Sequence, residues 1–67
     1  MSAMVKASGE KVAELRIKRG LSQRDLADKA NVSPSTINLT ENDRTSLRPS
    51  TARRVAEALG VEVADLF

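Results

Sequence analysis

The side chains best suited to directed hydrogen bonding lie in ten residues, SPSTINLTEN, at positions 33–42. Asn38 can donate and accept at once, and side-chain amides pair bidentately with adenine. The hydroxyls of Ser35 and Thr36 can donate or accept, while the Thr36 methyl group or Leu39 can contact a thymine methyl. The segment itself has no positive charge. Four arginines follow it closely, and their guanidinium groups can bind phosphates: Arg44, Arg48, Arg53 and Arg54.

The composition excludes several other kinds of chemistry. The chain has no cysteine and no histidine, which excludes disulfides, thiolate metal sites, cysteine nucleophiles and histidine acid–base catalysis. No carboxylate cluster suggests a metal site, and no titratable pair has catalytic spacing. We therefore expect no enzyme activity, no metal ion and no cofactor. No apolar run approaches the roughly 20 residues that span a bilayer, and no secretory signal is present, so we expect a cytoplasmic protein without a membrane partner.

The elements that must position these side chains are short helices. A chain of 67 residues allows one domain. Helix-capping and helix-breaking residues (Gly, Pro, Ser and Asn) divide it into helical segments. The pattern predicts an all-α, compact five-helix bundle over residues 9–67, preceded by a flexible arm at residues 1–8. The five predicted segments are residues 9–19, 22–30, 33–42, 49–59 and 61–67.

Residues 23–42 combine two of these helices with a turn of three or four residues. Small Ala27 in the first helix lets the second helix approach closely, and Leu26, Val32 and Ile37 supply the apolar wedge between them. This is the helix-turn-helix arrangement, whose second helix enters the major groove of DNA. A helical bundle that uses the same turns without binding DNA is the alternative.

Short motifs along residues 9–67 resemble the Cro/C1-type (XRE) helix-turn-helix family, the DNA-binding domain of lambdoid phage repressors. The matching pieces, in order, are LR at 15–16, GLSQ at 20–23, LADKANVSPSTI at 26–37, EN at 41–42 and ALGVEVADLF at 58–67. Each piece alone is weak, but their order and gaps together are specific. The resemblance implies a five-helix fold containing the helix-turn-helix at residues 23–42.

The resemblance also implies individual roles. The positions that match base-contacting residues are Pro34, Ser35, Thr36, Asn38 and Leu39. The positions that match groups holding backbone phosphates are Ser22, Gln23, Asn42, Arg44, Ser46 and Arg48; Ser22 is expected to cap its helix in any case. The resemblance implies that Arg16 of the first helix pairs with Glu41 at the end of the third; the alternative is two independent surface charges.

Four positions depart from the usual family pattern. Pro34 and Leu39 stand where polar or basic base contacts are frequent, so sequence readout rests on hydroxyls, one amide and apolar contacts. Asn31 replaces the usual Gly but tolerates positive φ. Thr40 replaces an aliphatic core residue, and its buried hydroxyl needs a partner such as the carbonyl four residues earlier.

The function implied by the resemblance is a sequence-specific regulator of transcription that binds double-stranded DNA, most simply a repressor. The alternative is a helix-turn-helix module for protein interaction or oligomerisation, such as an antitoxin or accessory factor. We expect a homodimer, weak without DNA, on an approximately palindromic operator. We expect its interface to be formed by four apolar side chains near the end of the chain, the alternative being that they only close the core: Val61, Val63, Leu66 and Phe67. The length fits a small regulator or one domain of a longer protein.

Overall fold

The computed structural model describes residues 3–67, and in this range four α-helices precede a short 3-10 turn. The helices are α1 (Gly9–Lys18), α2 (Gln23–Ala30), α3 (Pro34–Glu41) and α4 (Pro49–Leu59). The predicted all-α class is confirmed. The predicted count of five helices is wrong for the last segment, because Val63–Leu66 forms a single 3-10 turn of four residues.

Local capping explains where the helices begin and end. The hydroxyls of Ser8, Ser22 and Ser33 each accept a hydrogen bond from the third residue of the following helix, which satisfies an otherwise unpaired backbone N–H. Asn31 ends α2 in the left-handed conformation with φ 56°, and Gly60 ends α4 with φ 71°. These positions stop the helices because left-handed backbone turns the chain away from the helix axis.

One hydrophobic core holds the helices together. Helix α2 packs against both α3 and α4, while α1 packs against α3 and the 3-10 turn. Ala27 is fully buried, and its small side chain allows the close approach predicted from the sequence. The buried apolar residues are Ala7, Val12, Leu26, Ala27, Ala30, Ile37, Leu47, Ala52, Val55, Ala56, Leu59 and Leu66.

The segment before α1 lies against the domain. Val5 and Leu47 exchange two backbone hydrogen bonds of 2.7 Å in an antiparallel bridge, and the Ser8 amide donates to the carbonyl oxygen of Leu66 at 2.6 Å. Ala7 is buried beside the core. Residues 3–8 thus differ from the flexible arm expected over residues 1–8; Met1 and Ser2 lie outside the described residues. No helix within residues 3–67 has the length and apolar character that crossing a membrane requires.

Candidate nucleic-acid interface

Helix α3 is held by two buried side chains and presents a polar face to the surface. Ile37 enters the apolar core, and Thr40 is buried beside it. The Thr40 hydroxyl donates to the carbonyl oxygen of Thr36 at 2.7 Å, so its buried polar group is satisfied by the i−4 bond expected from the sequence. The helix can therefore tolerate threonine where an aliphatic residue is usual.

The exposed face of α3 brings together most of the predicted base-contacting residues. Pro34, Ser35 and Asn38 are exposed, and Leu39 is 41% exposed. These four residues line a shallow groove with Gln23 from the start of α2. A short polar face of this kind, flanked by the first turn of the preceding helix, has the shape that the major groove admits.

Thr36 does not share this groove. Its side chain is half-buried, and its hydroxyl lies 2.9 Å from the hydroxyl of Ser33. Together with Ser46 and Arg48 it lines a separate depression between α3 and the loop that leads to α4, and Leu39 borders both depressions. Of the five predicted base-contacting residues, Thr36 is the one that lines only the depression beside the loop.

Arg16 and Glu41 form an ion pair between α1 and α3. Nε of Arg16 lies 2.7 Å from one carboxylate oxygen of Glu41 and Nη2 lies 3.1 Å from the other, a bidentate geometry. The side chains are only 16% and 7% exposed, and Arg16 also donates to the carbonyl oxygen of Leu21 at 2.9 Å. The hydrogen bonds to Glu41 raise the pKa of the Arg16 guanidinium above its usual value. The pair therefore fixes the C-terminal end of α3.

Gln23 links this ion pair to the exposed face. Its Nε2 donates to the Oε1 atom of Glu41 at 3.1 Å. Its Oε1 in turn accepts a hydrogen bond of 3.3 Å from Nδ2 of Asn38. Gln23, at the start of α2, thus braces α3 through two of its side chains.

The remaining residues predicted to contact phosphates lie just before α2, at the end of α3 and in the loop that follows α3. The Ser22 hydroxyl caps α2 by accepting from the Asp25 amide at 2.9 Å, and the Asp25 carboxylate accepts from the Ser22 amide at 3.1 Å. That backbone hydrogen bond lowers the pKa of Asp25. Asn42 donates to the Asn38 carbonyl oxygen at 2.8 Å. In the loop after α3, Arg44 and Arg48 are exposed while Ser46 is half-buried.

The segment predicted to form a dimer interface divides into two parts. Leu66 is fully buried in the core of one chain, so it has no surface to offer to a second copy; its prediction as an interface residue is corrected. Val61 and Val63 are half-buried and pack against the core. Phe67 is 42% exposed. The exposed apolar area of this segment therefore lies mainly on Phe67.

Two residues near the interface were not found from the sequence. The Gly9 amide donates to Oδ1 of Asp43 at 2.9 Å, and Asp43 takes the left-handed conformation with φ 57° just beyond α3. The two residues are 34 positions apart and belong to no shared motif. The only sequence feature that indicates a role for Asp43 is its position as an acidic residue directly after Glu41 and Asn42.

The family model for helix-turn-helix domains, HTH_3, matches residues 12–66. The chain belongs to the Cro/C1-type helix-turn-helix family. That match runs from within α1 to the 3-10 turn, so it includes the ion pair, the bracing glutamine and the exposed face of α3.

Individual helix-turn-helix relatives agree in sequence and shape. The immunity repressor protein of Bacillus phage phi105 is 42% identical over 55 residues, which is 82% of this chain and 38% of that protein. The restriction-modification controller protein C.AhdI from Aeromonas hydrophila superposes with a TM-score of 0.85 at 30% identity, covering 88% of this chain and 89% of that one. The biofilm regulator SinR in complex with DNA superposes with a TM-score of 0.82 at 29% identity, over 87% and 94% of the two chains.

The curated helix-turn-helix relatives are longer than this chain. The chain spans 33% to 38% of their length. The match is therefore to one domain of those proteins, the domain that carries the helix-turn-helix.

Proposed function

We propose that this chain is a sequence-specific, double-stranded DNA-binding regulator of transcription, most simply a repressor, that inserts α3 into the major groove. The observation that carries the proposal is the face formed by Ser35, Asn38 and Leu39, exposed beside Gln23 and backed by the Arg16–Glu41 pair. Family membership supports it, as do the matched immunity repressor and the matched SinR domain in complex with DNA.

The proposed mechanism divides affinity and specificity between two sets of residues. Helix α3 carries no basic residue, so its side chains select bases by hydrogen bonds and methyl contacts rather than by charge. Exposed Arg44 and Arg48, in the loop that follows, supply attraction to phosphates. Phosphate contacts release counterions, so binding to any DNA is expected to weaken steeply as the salt concentration rises.

We further propose that two copies bind an approximately palindromic operator, and that they do so in the cytoplasm. One short helix reads only a few base pairs, and domains of this type gain specificity by pairing half-sites about one helical turn, roughly 34 Å, apart. In this proposal, Phe67 with the accessible parts of Val61 and Val63 forms the contact between the two copies. The contact is small, so the dimer is weak without DNA.

The test is a selection of bound fragments from genomic DNA, followed by titration of a selected site and a scrambled site at several salt concentrations. We expect enrichment of an inverted repeat, and a preference for the selected site over the scrambled site that persists at each salt concentration. Binding that ignores salt and sequence, together with capture of a protein partner, would instead indicate the interaction module considered as the alternative.

A further inference from the structure

Four polar side chains form one continuous chain of hydrogen bonds from α1 to the exposed face of α3. Arg16 donates to both carboxylate oxygens of Glu41. Gln23 donates to Glu41, and Asn38 donates to Gln23. Glu41 is the buried acceptor for both Arg16 and Gln23, and Asn38 lies at the exposed end, beside Ser35 and Leu39. The chain thus connects a buried charge to the surface proposed to meet the bases.

The hydrogen bonds run in a fixed donor-to-acceptor direction because the carboxylate of Glu41 can only accept. An ionised carboxylate has no proton to donate, so Gln23 must turn its amide nitrogen toward Glu41 and its oxygen away. Asn38 must then turn its own amide nitrogen toward that oxygen. Arg16 is consistent with this direction, since its guanidinium can only donate and contacts both carboxylate oxygens of Glu41. The orientation of each amide therefore follows from the charge on Glu41.

We propose that Glu41 is a positioning residue for base recognition, which acts through Gln23 to fix the edge that the Asn38 carboxamide presents to DNA. This inference rests on the proposed function and deepens it. Asn38 uses one N–H on Gln23, which leaves its oxygen and its second N–H for a base pair. Recognition of adenine needs an acceptor opposite N6 and a donor opposite N7, in that order along the base edge.

A fixed amide discriminates between A·T and T·A at one position. The two pairs present the same acceptor and donor in reversed positions across the major groove. An Asn38 side chain that could rotate its amide by 180° would adapt to more than one arrangement. Holding the amide nitrogen against Gln23 removes that freedom before DNA arrives. The specificity of Asn38 is then set partly by a residue that touches no base.

The experiment compares the wild-type protein with four variants by the base preferences of the DNA sites that each one selects. Asn38→Ala identifies the base pair that Asn38 reads. Glu41→Gln keeps the shape of the side chain but can donate as well as accept, so Gln23 loses its fixed orientation. We expect the preference at that one base pair to relax by about threefold to tenfold, the weight of one net hydrogen bond. Gln23→Met removes the hydrogen bonds that Gln23 makes to Glu41 and Asn38 but leaves the ion pair in place. We expect it to relax the preference at the same base pair.

Arg16→Gln is the matched control for lost stability. It removes the same ion pair as Glu41→Gln but leaves an acceptor-only carboxylate facing Gln23. We expect overall binding to weaken with the stability of the domain, while the preference at the Asn38 base pair is retained. Equal relaxation in Arg16→Gln and Glu41→Gln would overturn the inference. If Glu41→Gln does not fold, an unchanged preference in Gln23→Met overturns it.

Failure of the inference differs from failure of the proposed function. No selected site for the wild-type chain, or a profile unchanged by Asn38→Ala, overturns the base-reading role itself. A changed Asn38→Ala profile beside unchanged Glu41→Gln and Gln23→Met profiles overturns only the positioning role. In the free protein, NMR of the Asn38 side-chain amide gives a measurement independent of DNA. One of its two protons is expected to show hydrogen-bond protection in the wild type and to lose it in Gln23→Met.

Discussion

Gly9 and Asp43 join the start of α1 to the residue that follows the end of α3. The Gly9 amide donates to Oδ1 of Asp43 at 2.9 Å, and the buried Cα of Gly9 lies directly against the backbone of α3. A Cβ atom built on Gly9 would overlap the carbonyl oxygens of Thr40 and Glu41. The absence of a side chain at Gly9 is thus what allows α1 to approach the helix proposed to read DNA.

Gly9→Ala is expected to destabilise the domain by about 3 kcal/mol, the upper part of the usual range for overpacking. The intrinsic helix propensity of Ala favours it over Gly by only about 1 kcal/mol, so the overlap outweighs it. Urea denaturation would give the free energy of unfolding. The control is Gly20→Ala, where a Cβ meets nothing within 4 Å and only the φ of +68° causes strain. A smaller loss in Gly9→Ala than in Gly20→Ala would contradict the packing argument.

The parts of this fold that the sequence predicts are those with local causes. The starts of α2 and α3 follow from Ser22 and Ser33, and the end of α4 follows from Gly60, because each cap acts within a few residues. The bridge between Val5 and Leu47 joins residues 42 positions apart through backbone groups, which leave no periodic pattern in the side chains. A single apolar residue in a polar loop gives no signal of burial.

The candidate site, too, was predictable from the sequence only where local causes determine it. Helical geometry places successive residues about 100° apart, so Thr36 and Asn38 differ by about 200° and cannot share one face. The family resemblance supplied both positions as base contacts, and the structure turns Thr36 toward the loop. The hydrogen bonds that link Glu41, Gln23 and Asn38 could not be predicted, because they depend on the rotamers of three side chains from two helices.

The ion pair between Arg16 and Glu41 is expected to behave as a coupled unit. Because the side chains are 16% and 7% exposed, removing one partner leaves the other charge poorly solvated. Arg16→Ala and Glu41→Ala are each expected to cost about 2–3 kcal/mol of unfolding free energy, and the double variant less than their sum. A double-mutant cycle by chemical denaturation measures the difference. Additivity within about 0.5 kcal/mol would mean that the two charges do not cooperate.

The capping box at the start of α2 is expected to give the domain a measurable acid dependence. The Ser22 amide lowers the pKa of Asp25 in the folded chain, so the ionised carboxylate stabilises the fold at neutral pH. This contribution is present above the unfolded pKa of an aspartate, about 3.9, and is lost as the pH falls through the lower folded value.

Melting temperatures of the wild type and Asp25→Asn would test the capping box. We expect the wild type to be more stable at pH 7 and the difference to shrink below about pH 4. Asp28→Asn, an exposed substitution on the same helix, is the control because it leaves the capping box intact. A difference between the wild type and Asp25→Asn that stays constant from pH 7 to pH 2 would exclude the carboxylate as its source.

Arg44 is expected to act on all DNA sequences alike. Its exposed guanidinium follows α3 directly, where the sugar–phosphate backbone would pass if α3 occupies the groove. Arg44→Ala is expected to weaken selected and scrambled sites equally and to lower the slope of log affinity against log salt by about one. Lys29→Ala is the charge-matched control, because Lys29 lies at the other end of α2 from Gln23. Parallel salt titrations of Arg44→Ala and the wild type would exclude a phosphate contact.

The proposed dimer rests on Phe67, which is 42% exposed. Phe67→Ser should leave folding nearly intact, because the ring is not in the core. It should lower cooperative binding to an operator with two half-sites by about tenfold, which corresponds to losing about 1.4 kcal/mol of apolar contact. Leu66→Ala separates packing from association: this fully buried leucine should cost about 2–5 kcal/mol of stability. Titration of labelled operator would give the stoichiometry, with sedimentation of the free protein alongside. One copy per site, on an operator without an inverted repeat, would refute the dimer.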